Sequence, residues 1–389
     1  MSDYADVVVI GGGVIGASVT CYLAEKGLNV FLVDRGGLAS GTSGACQGGV
    51  LAHIRKPPLL SYVLESQKLY FHAKNQGLDF EYDPCGSFIC FDREDQRSMV
   101  EEHAKQLKRH GLKISLLERD DLKAITPAIG DEVLGASVYN EDFIVNPIRV
   151  AHEFAFAAKE LGAKIHVFRE VKAIEMKGSE IYAIITDKGR IRTGCVVNAA
   201  GVWSPDVAQM IGYTLPVKPK RGQLLVTEPV RRSKIRFILD GDYLVTAYDP
   251  DAVEASNDPR IKLGVASSLA QAKTGNWLLG SSRDLAGFDR SCTRETLEWI
   301  VKRAMTFLPG LGKLNCIRTF AGLRPITDDG LPVLGRVEEV EDFVIATGTH
   351  GEGIMLAPLW GKLTAELIAK NTTSMPIELF NPARFRRTQ

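Results

Sequence analysis

A single guanidinium stands in "AGLRPITDDGLPVLG" (residues 321–335), surrounded by glycines, prolines and aliphatic side chains. Arginine is the side chain best suited to grip a carboxylate, because its planar fork is permanently charged and donates two parallel hydrogen bonds. Arg324 is therefore either an exposed loop charge or the binding group for a substrate carboxylate. An exposed loop charge would leave unexplained why it sits between Ala321-Gly322-Leu323 and Pro325. Tyr243 in "DYLVT" offers a phenol that can reach the same carboxylate from a sheet, the plainer reading being half-buried strand packing.

A second pattern concerns phosphates. In "DVVVIGGGVIGASVTCYLAEKGLNVFLVDR" the apolar run Val7–Ile10 suits a strand buried on both faces. It runs into Gly11-x-Gly13-x-x-Gly16 and an apolar-periodic helix over about residues 14–26, which Gly27 stops. A second strand, Val30–Val33, ends in Asp34. Gly11 permits the tight turn, Gly13 lets a pyrophosphate approach the backbone, and Gly16 lets helix and strand pack closely. The free N–H groups and positive dipole end of the helix face the phosphates. Asp34, 18 residues after Gly16, stands where a carboxylate accepts from ribose hydroxyls. The alternative is a glycine-rich turn in an unrelated α/β domain.

These elements must be positioned by a chain of 389 residues, long enough that two domains are expected. A composition of 45% hydrophobic and 24% charged residues is that of an ordinary globular protein. Lys+Arg and Asp+Glu both number 47, so there is no basic excess of the kind a nucleic-acid partner favours. No apolar run reaches the length of a membrane span. The acidic start "MSDYADVVV" argues against a secretory leader. Seven scattered cysteines form no metal-ligand spacing and read as reduced thiols of a cytoplasmic protein, so no metal is expected. Attachment to the inner face of a membrane is the alternative location.

The residues after Asp34 favour FAD over NAD. "RGGLASGTSGACQGGVLAH" packs small and hydroxyl side chains where an NAD domain normally continues into helix and strand. Such a loop allows backbone to approach a pyrophosphate and ribityl chain. "VVNAAGVWSPDVA" is another apolar strand ending in small residues, and "FVIATGTHGEGIMLAPLWGKLTAELI" is a second strand–glycine–helix unit. With these five motifs ("VVVIGGGVIGAS", "GTSGACQGGVLAH", "VVNAAGVWS", "AGLRPITDDGLPVLG", "GTHGEGIMLAP") the chain resembles, over nearly its whole length, the D-amino acid oxidase superfamily of flavoproteins. That family includes glycine oxidase, sarcosine oxidases and catalytic subunits of heteromeric amino-acid dehydrogenases.

The resemblance implies a Rossmann-like α/β FAD-binding domain of GR2 type and a second α+β substrate domain built on an antiparallel sheet. It implies noncovalent FAD held by Gly11, Gly13, Val14, Ile15, Gly16, Asp34 and Arg35. Thr42, Ser43, Gly48, Gly49, Val50 and Leu51 would follow the ribityl chain and ring, and Val171 would hold the adenine. Ala199, Gly201 and Trp203 belong to the second motif. Gly351, Glu352, Gly353, Ile354 and Met355 would border the pyrimidine side of the ring. Gly322 stands where some relatives carry a flavin-linking cysteine. Arg324 takes the place of the carboxylate-binding arginine of glycine oxidase. His53 occupies a position where relatives carry a histidine near the substrate, against a satisfied structural histidine. His350 would tune the flavin electrostatically, against a solvent-facing loop residue. A hydride moves from the amine's α-carbon to flavin N5 in this chemistry, so no general base is named.

The FAD motifs are dispersed, which places the nucleotide domain in residues 1–80, 145–215 and 315–389. Residues 81–144 and 216–314 would form the substrate domain, with "SFICFD", "GQLLVTEP", "DYLVTAY", "IKLGVASSLAQ" and "NWLLGSSRD" as short sheet strands and a charged helix near residues 94–110. Leu278 stands where some oxidases place an oxygen-activating lysine, and the "SSLAQAKTGNWLLGSSRDLAGFDRS" run is more similar to catalytic β subunits of proline, hydroxyproline or opine dehydrogenases. The resemblance then implies an amino- or imino-acid substrate and either an α-type partner subunit or a homo-oligomer. No iron–sulfur ligand set is visible in the chain, so FMN or an iron–sulfur centre would lie at the partner interface. A self-sufficient glycine- or sarcosine-type oxidase and a non-catalytic FAD-binding module are the competing readings.

Overall fold

The computed structural model describes residues 3–248 and 250–385. Its first large sheet has six strands, in the order Lys164–His166, Val30–Val33, Val7–Ile10, Cys195–Asn198, Phe343–Thr347 and Val333–Arg336. All adjacent pairs are parallel except the last. The four central strands are buried along their length, the burial that continuous runs of Val, Ile and Phe predict for a sheet covered on both faces. The Val14–Ala24 helix covers one face, packed between the Pro147–Glu160 and Gly353–Lys370 helices. It ends two residues before the expected residue 26, where Gly27 turns away at φ +78°. Gly16 has no room for a side chain, since a Cβ there would lie 1.8 Å from the Gly11 carbonyl oxygen. Helix and strand touch at that point, as the motif predicts.

The Gly353–Lys370 helix contains Pro358, which has no N–H to offer the Ile354 carbonyl. The buried Tyr70 hydroxyl donates to that oxygen instead, at 2.6 Å. Tyr70→Phe should therefore strand a buried carbonyl and cost about 1–3 kcal/mol of stability, read as a lower urea midpoint at unchanged slope.

The second large sheet has eight strands: Cys316–Ile326, Lys218–Pro229, Asn276–Gly280, Ser268–Gln271, Phe237–Asp240, Ser87–Phe91, Gly135–Tyr139 and Ser115–Glu118. Pairing is antiparallel throughout except where Phe237–Asp240 meets Ser87–Phe91. Both segments expected to make the substrate domain thus contribute to one sheet. Its outer face packs on the Arg294–Phe307 helix, and its inner face looks toward the six-stranded sheet.

Two expectations change here. Residues 316–326, assigned above to the nucleotide domain, pair along the strand with Lys218–Pro229 in the eight-stranded sheet. "DYLVTAY" is not a strand but opens the Tyr243–Tyr248 helix. A six-residue apolar run does not distinguish the two by pattern alone. The buried carboxylates before it decide: Asp240 accepts from Arg303 Nε at 2.6 Å and Asp242 from Arg260 at 2.6 Å, and the chain turns at Gly241 into the helix. The charged helix expected near residues 94–110 is observed as Glu94–Arg109.

Candidate active site

A cavity of about 740 Å³ lies between the two large sheets, within the size range of small-molecule sites. Its walls at one end come from the first glycine motif. Gly11, Gly13, Val14 and Ile15 line it at the start of the Val14–Ala24 helix, whose N-cap Gly13 has no side-chain cap. Val14 N–H donates to Ser43 Oγ at 3.0 Å, which ties the following loop to the helix start. Asp34 closes the next strand, with Oδ2 accepting from Gly12 N–H and Oδ1 from Gly36 N–H, each at 2.6 Å. Each carboxylate oxygen keeps a further lone pair for a ribose hydroxyl. Arg35 lies 4.3 Å over the Trp203 ring, and Val171 stands on the same wall.

The Thr42–Ala45 turn and the backbone of Gly48, Gly49 and Leu51 continue the lining toward the middle, with Ala199, Gly201 and Gly322 opposite. Gly351, Gly353, Ile354 and Met355 form the far wall, where a second helix begins, again without a side-chain cap on its N-cap Glu352. Two helix N-termini, one for phosphates and one for the electron-rich end of a ring system, thus open on one elongated cavity that also holds a ribose-type carboxylate. That donor set fits FAD. Asp34→Ala should lose the flavin on desalting, while the circular dichroism of the chain stays native; retention of the flavin would remove Asp34 from the cradle.

Three of the expected cofactor residues are not on the cavity wall. Gly16 serves helix packing. Val50 is fully buried in the core with its carbonyl accepting from Gln67 Nε2 at 3.2 Å. Glu352 forms a buried ion pair with Arg55, and burial raises its carboxyl while Arg55 draws it down. Gln47, which the sequence reading passed over, lines the cavity. Its Nε2 donates to Ser268 O at 2.7 Å and Leu278 O at 2.9 Å, joining the cofactor loop to the eight-stranded sheet. Leu278 itself lines a separate, smaller cavity.

The substrate end gathers Arg324, Tyr243 and His350. Arg324 projects from the Cys316–Ile326 strand over Gly222, where a Cβ would meet its Nη1 at 2.3 Å. The guanidinium donates to Ser282 O at 3.0 Å and Ser281 Oγ at 3.1 Å. Burial, reinforced by the Arg283 charge, draws it down to about 10, so it stays charged at neutral pH. Tyr243 comes from its short helix, not from the sheet. Burial pushes its hydroxyl up, but the charges of Arg283, Arg55 and Arg324 outweigh this and hold it below the usual phenol value. His350 takes φ +50°, and its Nε2 accepts from Thr327 N–H at 3.1 Å. Burial, then the Lys220 charge, lower it to about 4, so the imidazole is neutral.

His53 does not reach the cavity. Its ring is fully buried, with Nδ1 2.8 Å from Ser87 Oγ and Nε2 2.7 Å from Ser137 Oγ. Burial, then the neighbouring His103, lower it to about 3. It is a satisfied core histidine. Asp142, bonded to the same Ser87 hydroxyl at 2.7 Å and to Ala52 N–H at 2.7 Å, completes that network.

A glycine-rich lining that fits FAD and a buried guanidinium on one cavity agree with a flavin-dependent oxidoreductase. The chain belongs to the DAO family, FAD dependent oxidoreductase, whose family model matches residues 6–367. It is similar to the hydrogen cyanide synthase subunit HcnC of Pseudomonas aeruginosa, 29% identical across 99% of this chain and 97% of that one. Glycine oxidase of Bacillus subtilis is 28% identical across 95% of this chain and 94% of its own. The crystal structure of L-proline dehydrogenase from P. horikoshii superposes with a TM-score of 0.88 at 27% identity, covering 99% of this chain and 98% of that one. Among the described residues no helix is long and apolar enough to cross a membrane.

Proposed function

We propose that the protein oxidises the C–N bond of an amino or imino acid as the FAD-bearing catalytic subunit of a dehydrogenase. The observation that carries the substrate class is Arg324, a charged guanidinium at the far end of the FAD cavity that, among the described residues, bonds neutral serine atoms alone. A substrate carboxylate completes its hydrogen bonding with two parallel contacts. Tyr243, whose hydroxyl stands in the same positive field, supplies a further donor to that carboxylate. Bound FAD supplies the hydride acceptor at N5. Arg324 and Tyr243 would anchor the carboxylate and so restrict how the α-carbon is presented, in a site lying between the two sheets. His350, neutral and accepting from Thr327 N–H, adds no positive charge to that end of the cavity.

The dehydrogenase assignment rests on similarity to proteins named as a synthase subunit and a dehydrogenase; Leu278, at the sequence position where some relatives carry a lysine beside the flavin, is aliphatic but lines a separate cavity. An α-type partner or a second copy would take the electrons onward, with FMN or an iron–sulfur centre at that interface. Similarity to glycine oxidase favours the second reading, a self-sufficient oxidase. Purified holoenzyme given proline, hydroxyproline, glycine, sarcosine or an opine should reduce an artificial dye much faster than oxygen. Peroxide formed as fast as the dye is reduced would replace the dehydrogenase reading by the oxidase one.

A further inference from the structure

The end of the cavity that Arg324 and Tyr243 line is flanked by more positive charge than one α-carboxylate requires. Lys220 lies directly across from Arg324 in the ladder between Lys218–Pro229 and Cys316–Ile326, two positions before Gly222. Gly222 and Leu224 both line the cavity, so strand alternation puts Lys220 on that same face. Like charges directly opposite on adjacent strands repel. Arg283 adds a third cation from the segment after Asn276–Gly280, its guanidinium 4.2 Å from the Tyr243 ring centroid. Burial, then the charges of Arg283 and Arg324, lower the Lys220 amine below its usual value.

Among the described residues none of these three cations has a carboxylate partner. Arg324 bonds the two serine atoms already given, and Arg283 donates to Thr246 Oγ1 at 3.0 Å and Gly264 O at 3.2 Å. The carboxylates that act on this end are committed elsewhere, Glu352 to Arg55 and Asp284 to Arg221. Buried arginines on helices of the same domain are treated differently: Arg303 is paired with Asp92 and Asp240, and Arg260 with Asp242. Lys220 faces Arg324 across the ladder and Arg283 lies over Tyr243, so two uncompensated cations stand beside a wall that Arg324 and Tyr243 line, an arrangement that favours more than one negative charge there.

We infer that the substrate brings two anionic groups, its α-carboxylate to Arg324 and a second carboxylate to Arg283 and Lys220. This rests on the amino-acid reading above and narrows it to dicarboxylic amines. The second carboxylate comes either on the side chain, as in an acidic amino acid, or on the nitrogen substituent, as in an N-carboxyalkyl amino acid. Lys220 and Arg283 are then specificity residues, and Arg324 serves any amino acid.

The test is anaerobic titration of the holoenzyme, reading perturbation and bleaching of the flavin spectrum. Matched ligands are glycine, sarcosine and proline against aspartate, glutamate, iminodiacetate and N-(1-carboxyethyl)glycine. At least one dicarboxylate series should bind with a Kd about tenfold or more below its monocarboxylate counterparts, and which series does so identifies the position of the second anion. Lys220→Gln and Arg283→Gln should each erase most of that advantage and change monocarboxylate Kd by less than about threefold. Equal affinity for both classes, or variants that weaken both classes alike, overturns the inference and leaves the amino-acid assignment standing. A flavin that no amine of either class perturbs or bleaches overturns both.

Discussion

Arg324→Ala is expected to leave the protein yellow and to raise the Kd for its amino-acid substrate by about two orders of magnitude or more. The cofactor half of that expectation follows from geometry. The groups proposed to hold FAD are the two helix starts, Asp34 and the loop around Thr42 and Ser43, none of which bonds the Arg324 side chain. The substrate half follows because Arg324 is the one charged, bidentate donor assigned to the α-carboxylate, and the neutral Tyr243 hydroxyl cannot replace its charge. Ser281 and Ser282 already occupy two of its N–H groups, so the guanidinium is oriented before substrate arrives and little side-chain freedom is lost on binding. Arg324→Lys should recover only part of the loss, because an ammonium keeps the charge but not the fork. Flavin retention is read from the visible spectrum after desalting, and Kd from spectral perturbation. Unchanged substrate affinity in the alanine variant would make Arg324 a structural residue and remove the main support for an amino-acid substrate.

Acidification is expected to destabilise the fold well above the range where carboxylates usually protonate. His53 is lowered from 6.5 to about 3 and His350 to about 4 by burial, so both are neutral in the folded state at pH values where the unfolded chain binds protons. Folded pKa values below unfolded ones give stability that is complete above about 6.5 and declines as pH falls toward the folded values. At about pH 5 each histidine withdraws about 2 kcal/mol. Asp142 acts in the opposite sense: burial raises it from 3.8 to about 6, so its penalty is relieved as the pH drops through that value. That returns about 1 kcal/mol at pH 5, leaving a net loss of about 3 kcal/mol. Urea midpoints measured between about pH 7 and 5 should fall, and His350→Gln should flatten the fall. A midpoint that is level or rises over this interval would show that the two imidazoles are not held neutral.

The nucleotide cradle was legible because its information is local. Val7–Ile10, the three glycines, the helix, Val30–Val33 and Asp34 are consecutive, and each has a task that few other residue types perform. Arg324 was legible for the opposite reason, as a charge its neighbours do not explain. His53 was not, because what surrounds it comes from Ser87 and Ser137, 34 and 84 positions away, and the same imidazole suits a core or an active site. Tyr243 lines the cavity but from a helix and not a strand, since carboxylate–arginine bonds over long separations set the turn before it. Lys220 was invisible beside Arg324 until strand register paired them, and Arg283 until its guanidinium was placed over the Tyr243 ring.

The Thr42 hydroxyl donates to the carbonyl of Leu323, the residue next to Arg324, and so fastens the loop proposed to follow the cofactor to the strand that bears Arg324. Gln47 makes a second fastening to Ser268 and Leu278. Most of what would tell one amine from another stands on neighbouring strands or beyond their ends, at Lys220, Tyr243 and Arg283. Over evolutionary time such an arrangement separates two kinds of change. Descendants of a common ancestor can exchange one nutrient for another through substitutions at those outlying positions, while the spacing between reacting carbon and cofactor is inherited intact.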